Sequence, residues 1–585
     1  MIRPQTNAWR QATDLSGIWR IRFDPAEVGE TDGWHHGIGD NDTHLIAVPG
    51  SWNEQLSEAG FMNYVGAAWF ETRIMVPPAD NDGRIELRFA SVDYHARIWL
   101  DGELIGESGA AMLPFTLDIT DAAQRGGGAR LVVRVTNILP ADGPTQGITK
   151  ATYAEERRQR DEYLPAVRFD FFPFGGINRP VHLVRRPRVA IQSYRAITTR
   201  RDVALVVEAP DDHTVLARLS GHGAAVEGRA NVTAGRATLV LAPAEARCWS
   251  PDDPALYDLT IALIDQSGAT LDQVSQRLGL RDVCVTGDQL LLNGAPLVLK
   301  GFGKHEDSPI HGRGLNLPQL IKDFALLKWT GANSVRTAHY PYAEEFYDMA
   351  DEAGILVIDE IFSVNLDFRR VNATVLAHHK AAVEQLIARD RNRTCVIAWS
   401  LANEPGYLAE PEYRTHSPDY WRDLFAHARR LDPTRPVTHA NVAYAGNDDP
   451  AFSEADIITI NRYHGWYSDP AQLDRAHAAL VADFDQLAAH GKPIFVAEFG
   501  ADALAGEHAT HDQLFTEEYQ ARFIETYWRA ITKHPSVIGG HVWNFADFRT
   551  AQHGRRVVHN LKGVFTRTRE PKMAAWTVKR LWTGQ

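Results

Sequence analysis

Two glutamates carry the chemistry that this chain is equipped to do. Glu404 follows the apolar run Cys395-Val396-Ile397-Ala398-Trp399-Ser400-Leu401-Ala402 and Asn403, with Pro405 directly after it. Glu498 closes a second run, Ile494-Phe495-Val496-Ala497. A near-continuous apolar run is how a parallel strand covered on both faces reads. A carboxylate where such a strand ends reads as catalytic if the strands close into a barrel. Taken alone, Asn-Glu-Pro reads more readily as a helix cap or an ion pair; the rest of the chain reverses that.

A pair of carboxyl groups is what glycoside hydrolysis requires. One protonates the leaving oxygen. The other attacks the anomeric carbon, with retention of configuration, if the pair stands only ~5–5.5 Å apart. The acid must have a raised pKa, which burial supplies. Asn403, next to Glu404, is placed to hold the sugar 2-hydroxyl.

The elements that would position these groups follow from periodicity. Beyond about residue 281 the rhythm is strand, helix, strand. Candidate strands are Leu299–His305, Ser334–Thr337, Ile355–Asp359, Val396–Ala402, Val437–Ala440, Ile457–Arg462, Ile494–Ala497 and Ile538–Trp543. Leu320, Phe324 and Leu327 have helical spacing, as do Phe346, Met349 and Ala353, with Gly354 as a C-cap. Eight such units over about 300 residues predict a closed (β/α)8 barrel at 281–585. An open doubly wound sheet would carry an early Gly-rich phosphate turn, and none is present.

Upstream, alternation predicts antiparallel β-structure. Ile85, Leu87 and Phe89 alternate with charged residues, and Ala96, Ile98 and Leu100 run into a hairpin turn at Asp101-Gly102. Leu131, Val133 and Val135 repeat the pattern after a Gly126-Gly127-Gly128 linker. A first sandwich is expected at 1–185. It ends in the aromatic segment from Phe169 to Gly176, either a core plug or a loop offering Asp170 to a neighbouring site. A second, immunoglobulin-like sandwich is expected at 186–280, with a turn at Gln266-Ser267-Gly268.

Polar residues gather where the barrel strands should end: Lys304, His305, Glu306 and Asp307; Arg336 and His339; Asp359 and Glu360; Asn441; Asn461, Tyr463 and His464; Trp543, Asn544 and Asp547. So many polar groups on one face are costly unless they pair or work. Arg336 and Asp359 are read as members of a buried network.

Composition narrows the class. A chain of 585 residues exceeds one core, and 44% hydrophobic with 23% charged residues is ordinary for a globular protein. The net charge of −13 argues against nucleic acid as the main partner but leaves room for an anionic substrate held by local cations. No apolar run is long enough to span a bilayer. The N-terminal stretch lacks an apolar signal core, so a cytoplasmic location is expected. Cys248, Cys284 and Cys395 show no metal-ligand spacing and are read as reduced core residues. No metal or organic cofactor is expected.

Two segments then stand out. Asn333-Ser334-Val335-Arg336-Thr337-Ala338-His339-Tyr340-Pro341 and Trp399-Ser400-Leu401-Ala402-Asn403-Glu404 resemble the signatures of family 2 glycoside hydrolases. Asp14-Leu15-Ser16-Gly17-Ile18-Trp19 resembles the start of their sugar-binding domain. The resemblance spans nearly the whole chain. It implies a jelly-roll sugar-binding sandwich, an immunoglobulin-like sandwich and a TIM barrel. It also implies Glu404 as acid/base and Glu498 as nucleophile.

Within that family the likeness is greatest to β-glucuronidases. Phe302-Gly303-Lys304-His305-Glu306-Asp307, the segment Asn461 to Tyr467, and Trp543-Asn544-Phe545-Ala546-Asp547-Phe548 all fit. Asn560-Leu561-Lys562 matches the Asn-x-Lys motif that holds the sugar carboxylate. An ammonium and an amide donor suit that task. By resemblance Arg556 adds a carboxylate contact, and Asp170, His305, Asn461, Tyr463, Tyr467 and Trp543 line the pocket. The implied activity is a retaining exo-β-glucuronidase acting on a glucuronide-containing small molecule or oligosaccharide, in a homo-oligomer. A β-galacturonidase or a neutral-sugar β-galactosidase would use the same scaffold. From a different class, so would a non-catalytic carbohydrate-binding protein, against which retention of both glutamates argues.

Two departures set expectations. Phe499 replaces a Tyr of many relatives and removes a hydroxyl expected near the nucleophile. The short connection from Ile361 to Asn372 predicts an open entrance. Arg369 and Arg370 lie on it and could meet an acidic aglycone, although adjacent arginines more often sit on a solvated surface.

Overall fold

A computed structural model describes residues 2–78, 83–146, 169–406, 411–551 and 556–585. At its centre eight parallel strands close into a barrel. They are β1 (Leu299–Lys304), β2 (Ser334–Thr337), β3 (Leu356–Glu360), β4 (Val396–Asn403), β5 (Val437–Asn441), β6 (Ile458–Asn461), β7 (Ile494–Phe499) and β8 (Val537–Val542). Every residue of β4 and β7 is buried, which is why both segments read as apolar runs.

The covering helices are α1 (Leu317–Thr330), α2 (Glu344–Ala353), α3 (Ala373–Asp390), α4 (Pro411–Leu431), α5 (Leu473–Ala488), α6 (Glu517–Lys533) and α7 (Met573–Thr583). Local chemistry sets their ends. The Asn316 side chain accepts from the Gln319 amide to start α1, and Gly354 at φ 70° closes α2 in the left-handed conformation expected of it. Between β5 and β6 the described chain has two 3-10 turns and no α-helix. None of the described helices is long and apolar enough to cross a membrane.

The first domain is an antiparallel sandwich. Six strands run in the order Thr43–Val48, Gly17–Asp24, Ala67–Val76, Gly127–Thr136, His95–Leu100, Glu103–Ser108, over a four-stranded sheet. Asp101 and Gly102 both have positive φ, the two-residue hairpin turn their types predict. The expected glycine linker is partly strand: Gly127 and Gly128 pair with Val76 and Met75. The second domain packs a three-stranded sheet on a four-stranded one, and the Asp265 carboxylate accepts from the Ser267 and Ala269 amides at the expected turn.

The first domain leans on the C-terminal ends of the barrel strands. Arg313, beyond β1, donates to Asp93 at 2.9 Å and stacks over Tyr340, while Arg179 reaches Glu306 at 3.0 Å. Thr145 donates to the carbonyl of Phe362 beyond β3. At the other end, the strands Val283–Thr286 and Gln289–Leu292 close the barrel floor, where Gln289 donates to the Pro535 carbonyl ahead of β8.

Of the three cysteines, all free, only Cys395 is a core residue; Cys284 is exposed and Cys248 half-buried. The expectation of three core thiols fails because Cys284 lies on the exposed face of the Val283–Thr286 strand, and Cys248 sits at the edge of the second domain with its thiol on the Arg200 carbonyl. Arg369 clasps Asp367 through two 2.8 Å contacts, so its guanidinium is already committed. The connection from Ile361 to Asn372 is sealed by buried Ile361, Phe362, Val364, Leu366 and Phe368.

Candidate active site

β7 delivers Glu498 inward with only 4% of the residue exposed. Arg336, from β2, donates to its Oε1, and the Tyr463 hydroxyl donates to its Oε2 at 2.6 Å. Burial drives the Tyr463 phenol well above its usual range, and the Glu498 charge adds to this, so it stays protonated and donates. Arg336 is fully buried and its other terminal nitrogen contacts both oxygens of Glu360 at 2.9 Å. It is therefore shared between two carboxylates. Burial opposes the Glu360 charge, but Arg336 and hydrogen bonds from His339 and Ser400 outweigh it and hold that carboxyl below its usual range. Arg336 and Asp359, expected in one buried network, face different partners. Asp359 instead turns outward to the Tyr347 hydroxyl at 2.7 Å, because neighbouring side chains on a strand point to opposite faces.

The same alternation settles Phe499. Its ring stacks at 5.3 Å on Tyr527 of α6, on the far side of the strand from the Glu498 carboxyl. The expectation of a missing hydroxyl beside the nucleophile position is thus overturned.

Glu404 stands just past β4 with φ 50°. That left-handed backbone is uncommon for a non-glycine residue and ends the strand abruptly. The Glu404 amide is anchored on the Ala440 carbonyl at 2.8 Å. Asn461 donates to Glu404 Oε1 at 2.9 Å and to Asn403 Oδ1 at 3.3 Å. Asn461 is also the register partner of Glu498 across β6 and β7, so it ties the two glutamates into one site. Burial pushes the Glu404 carboxyl up to about 8, the Glu498 charge adds to it, and the Asn461 hydrogen bond opposes it. The residue keeps partial exposure at the site mouth, yet loss of water around its carboxyl outweighs that.

The aromatic floor is Trp543, stacked on His339 at 5.0 Å and edge-on to His305 at 5.3 Å. Burial first, then the His339 and Arg313 charges, hold His305 well below its usual range, so its imidazole is neutral. Its Nδ1 lies 3.2 Å from the Tyr340 hydroxyl, and among the described residues its buried Nε2 meets no hydrogen-bond partner.

Beyond β8 stands a cationic group. Asn560 donates to Asp170 at 2.7 Å, and Arg556 donates to both oxygens of Asp170 and, at 3.1 Å, to the Tyr467 hydroxyl. Lys562, 1% exposed, lies 5.0 Å from the rings of Trp466 and Tyr467. Its Nζ donates to Asp502 at 2.6 Å. The aromatic segment of the first domain does both things its sequence allowed. Phe169, Phe171, Phe172 and Phe174 are buried, and Asp170 between them faces the barrel.

Every site residue expected from sequence is thus at this end of the barrel, but several polar neighbours are structural. Lys304 pairs with Asp323, Asn441 with Asp449, His464 with Asp483, and Asp547 with Lys572. Three participants were missed: Arg336 as a partner of Glu498, Trp466 beside Lys562, and Asp502. A lone Asp four residues past Glu498 carries no signal until the chain folds.

A closed barrel with two buried carboxyl groups at its C-terminal end, preceded along the chain by two sandwiches, is the arrangement of a glycoside hydrolase. Residues 283–585 match the TIM barrel domain of glycosyl hydrolases family 2, residues 12–187 its sugar binding domain, and residues 189–281 a further model described as glycosyl hydrolases family 2. The chain belongs to glycosyl hydrolases family 2. A β-glucuronidase of Paenibacillus borealis is 36% identical, covering 100% of this chain and 98% of its own length. One from Rattus norvegicus is 34% identical, covering 100% and 92%. The solved structure of Ruminococcus gnavus β-glucuronidase in complex with D-glucuronic acid superposes with a TM-score of 0.89 at 33% identity over 99% of both chains.

Proposed function

We propose that this enzyme is a retaining exo-β-glucuronidase in which Glu498 is the nucleophile and Glu404 the acid/base. The observation that carries the reading is the cluster of Arg556, Asn560 and Lys562 at the same barrel end as the two glutamates. A buried cation beside an aromatic sugar platform suits a uronic acid, whose carboxylate would meet charge-assisted donors. The β-glucuronidase relatives support the same substrate.

The geometry supports the following steps. Glu498, oriented by Arg336 and Tyr463, attacks the anomeric carbon and expels the aglycone oxygen. Glu404, held protonated by burial, gives that oxygen its proton. Water then enters, Glu404 takes its proton, and the hydroxide oxygen displaces Glu498 from the sugar. In this reading Asn403 meets the 2-hydroxyl, and the His305 Nε2 a ring hydroxyl.

Initial rates on matched aryl β-glycosides test the reading. A dominant glucuronide rate is expected. A dominant galacturonide rate would keep the carboxylate clamp and change the sugar. A dominant galactoside rate would overturn the role of Asn560 and Lys562. No rate on any of them would favour a carbohydrate-binding protein.

A further inference from the structure

Asp502 lies just beyond β7, four residues past Glu498, and is 4% exposed. Its Oδ1 accepts from the backbone amide of Leu561 at 2.8 Å. Its Oδ2 accepts from Lys562 Nζ at 2.6 Å and lies 3.2 Å from Arg556 Nη1. One carboxylate therefore touches both cations of the cluster and the backbone between Asn560 and Lys562. Burial raises its proton affinity, but Lys562 and Arg556 together outweigh this and hold it below the usual range.

A second buried lysine locks the same junction. Lys572 Nζ donates to the carbonyls of Ala503 at 2.8 Å and Leu561 at 2.9 Å, and to Asp547 at 2.8 Å. The chain next to Asp502 is thus tied to the chain next to Lys562 from both sides. An ammonium has three donors. Among the described residues Asp502 is the acceptor that Lys562 Nζ meets, so donors remain for a ligand.

Charge balance gives this arrangement a purpose. Arg556 and Lys562 bring two positive charges, Asp502 one negative charge and Asp170 another. The four side chains sum to neutral, and a single carboxylate would meet donors that are already aimed. Without Asp502, two neighbouring cations would repel, and a buried ammonium would have lost its counter-ion, which is costly.

We infer that Asp502 is the positioning residue of the carboxylate clamp: it fixes Lys562 and Arg556 at the geometry that selects an anionic sugar. The inference rests on the glucuronidase reading above. It predicts that Asp502 acts on substrate binding through Lys562, and not on the bond-breaking step.

The test is a double-mutant cycle on an aryl β-glucuronide with Asp502→Asn, Lys562→Ala and the double variant. Asp502→Asn is expected to raise KM roughly thirtyfold and to leave kcat within about threefold. In the Lys562→Ala background it should cost little more. Asp502→Glu keeps the charge one methylene further out; a partial recovery of KM is expected, and this variant also serves if Asp502→Asn does not fold. If Lys562→Ala leaves kcat/KM for the glucuronide unchanged, the clamp reading itself fails. If Lys562→Ala is impaired but Asp502→Asn has a normal KM, loses kcat instead, or costs as much with Lys562 absent as with it present, the role of Asp502 is overturned.

Discussion

Asp170 of the first domain accepts a 2.7 Å hydrogen bond from Asn560, 390 residues further along the chain. The contact places one acidic side chain of the sandwich inside the barrel's cationic cluster, where it also receives Arg556. Asp170 is over a third exposed, so its ion pair contributes little to folding. Asp170→Asn is therefore expected to reduce kcat/KM for an aryl glucuronide by roughly tenfold while Tm moves by no more than about 2 °C. A Tm drop well beyond that, with kinetics unchanged, would make the pair a domain-docking contact instead.

The two glutamates should respond differently to the leaving group. Glu498→Ala should cost roughly four orders of magnitude on every substrate, because nothing else supplies the attacking carboxylate. Glu404→Ala should cost about 10²–10⁴-fold on poor leaving groups and far less on good ones, which need little proton assistance. Rates across a series of substituted phenyl glucuronides read this directly. A uniform loss for Glu404→Ala would remove it from the acid role.

The pH dependence follows from the raised Glu404 carboxyl. The protonated form is the acid, so activity should fall as pH rises through about 8. Asn461 hydrogen-bonds the charged form and so favours it. Asn461→Ala should move the basic limb of kcat/KM to higher pH. The stability sign agrees. A carboxyl raised above its unfolded value contributes stability that is fully present below the unfolded pKa and is lost as pH rises through the folded one. Glu404→Gln should accordingly gain Tm relative to the parent as pH rises from about 4.5 to about 8. A Tm difference that is flat with pH would contradict the raised carboxyl.

Lys562→Ala should discriminate between sugars. About 2 kcal/mol of differential binding is roughly thirtyfold in kcat/KM. The loss should fall on the glucuronide and spare the glucoside, since the glucoside brings no carboxylate. Parallel kinetics on the two substrates measure the difference, and equal losses would remove the clamp from the substrate argument.

Much of this protein was legible in its sequence because local patterns report local requirements. A strand buried on both faces must be apolar along its length, so β4 and β7 announced themselves and put Glu404 and Glu498 at their ends. The hairpin at Asp101-Gly102 and the cap at Gly354 were visible because only certain residues take positive φ cheaply. The tertiary structure alone decided the partnerships. Strand alternation sent Asp359 and Phe499 outward and Glu360 inward, a one-residue distinction that composition does not reveal. Asp502 carries no motif and gains its role only when the loops after β7 and β8 meet, held by Lys572. The raised Glu404 carboxyl likewise depends on water excluded and charges gathered by distant segments, which only the folded chain brings together.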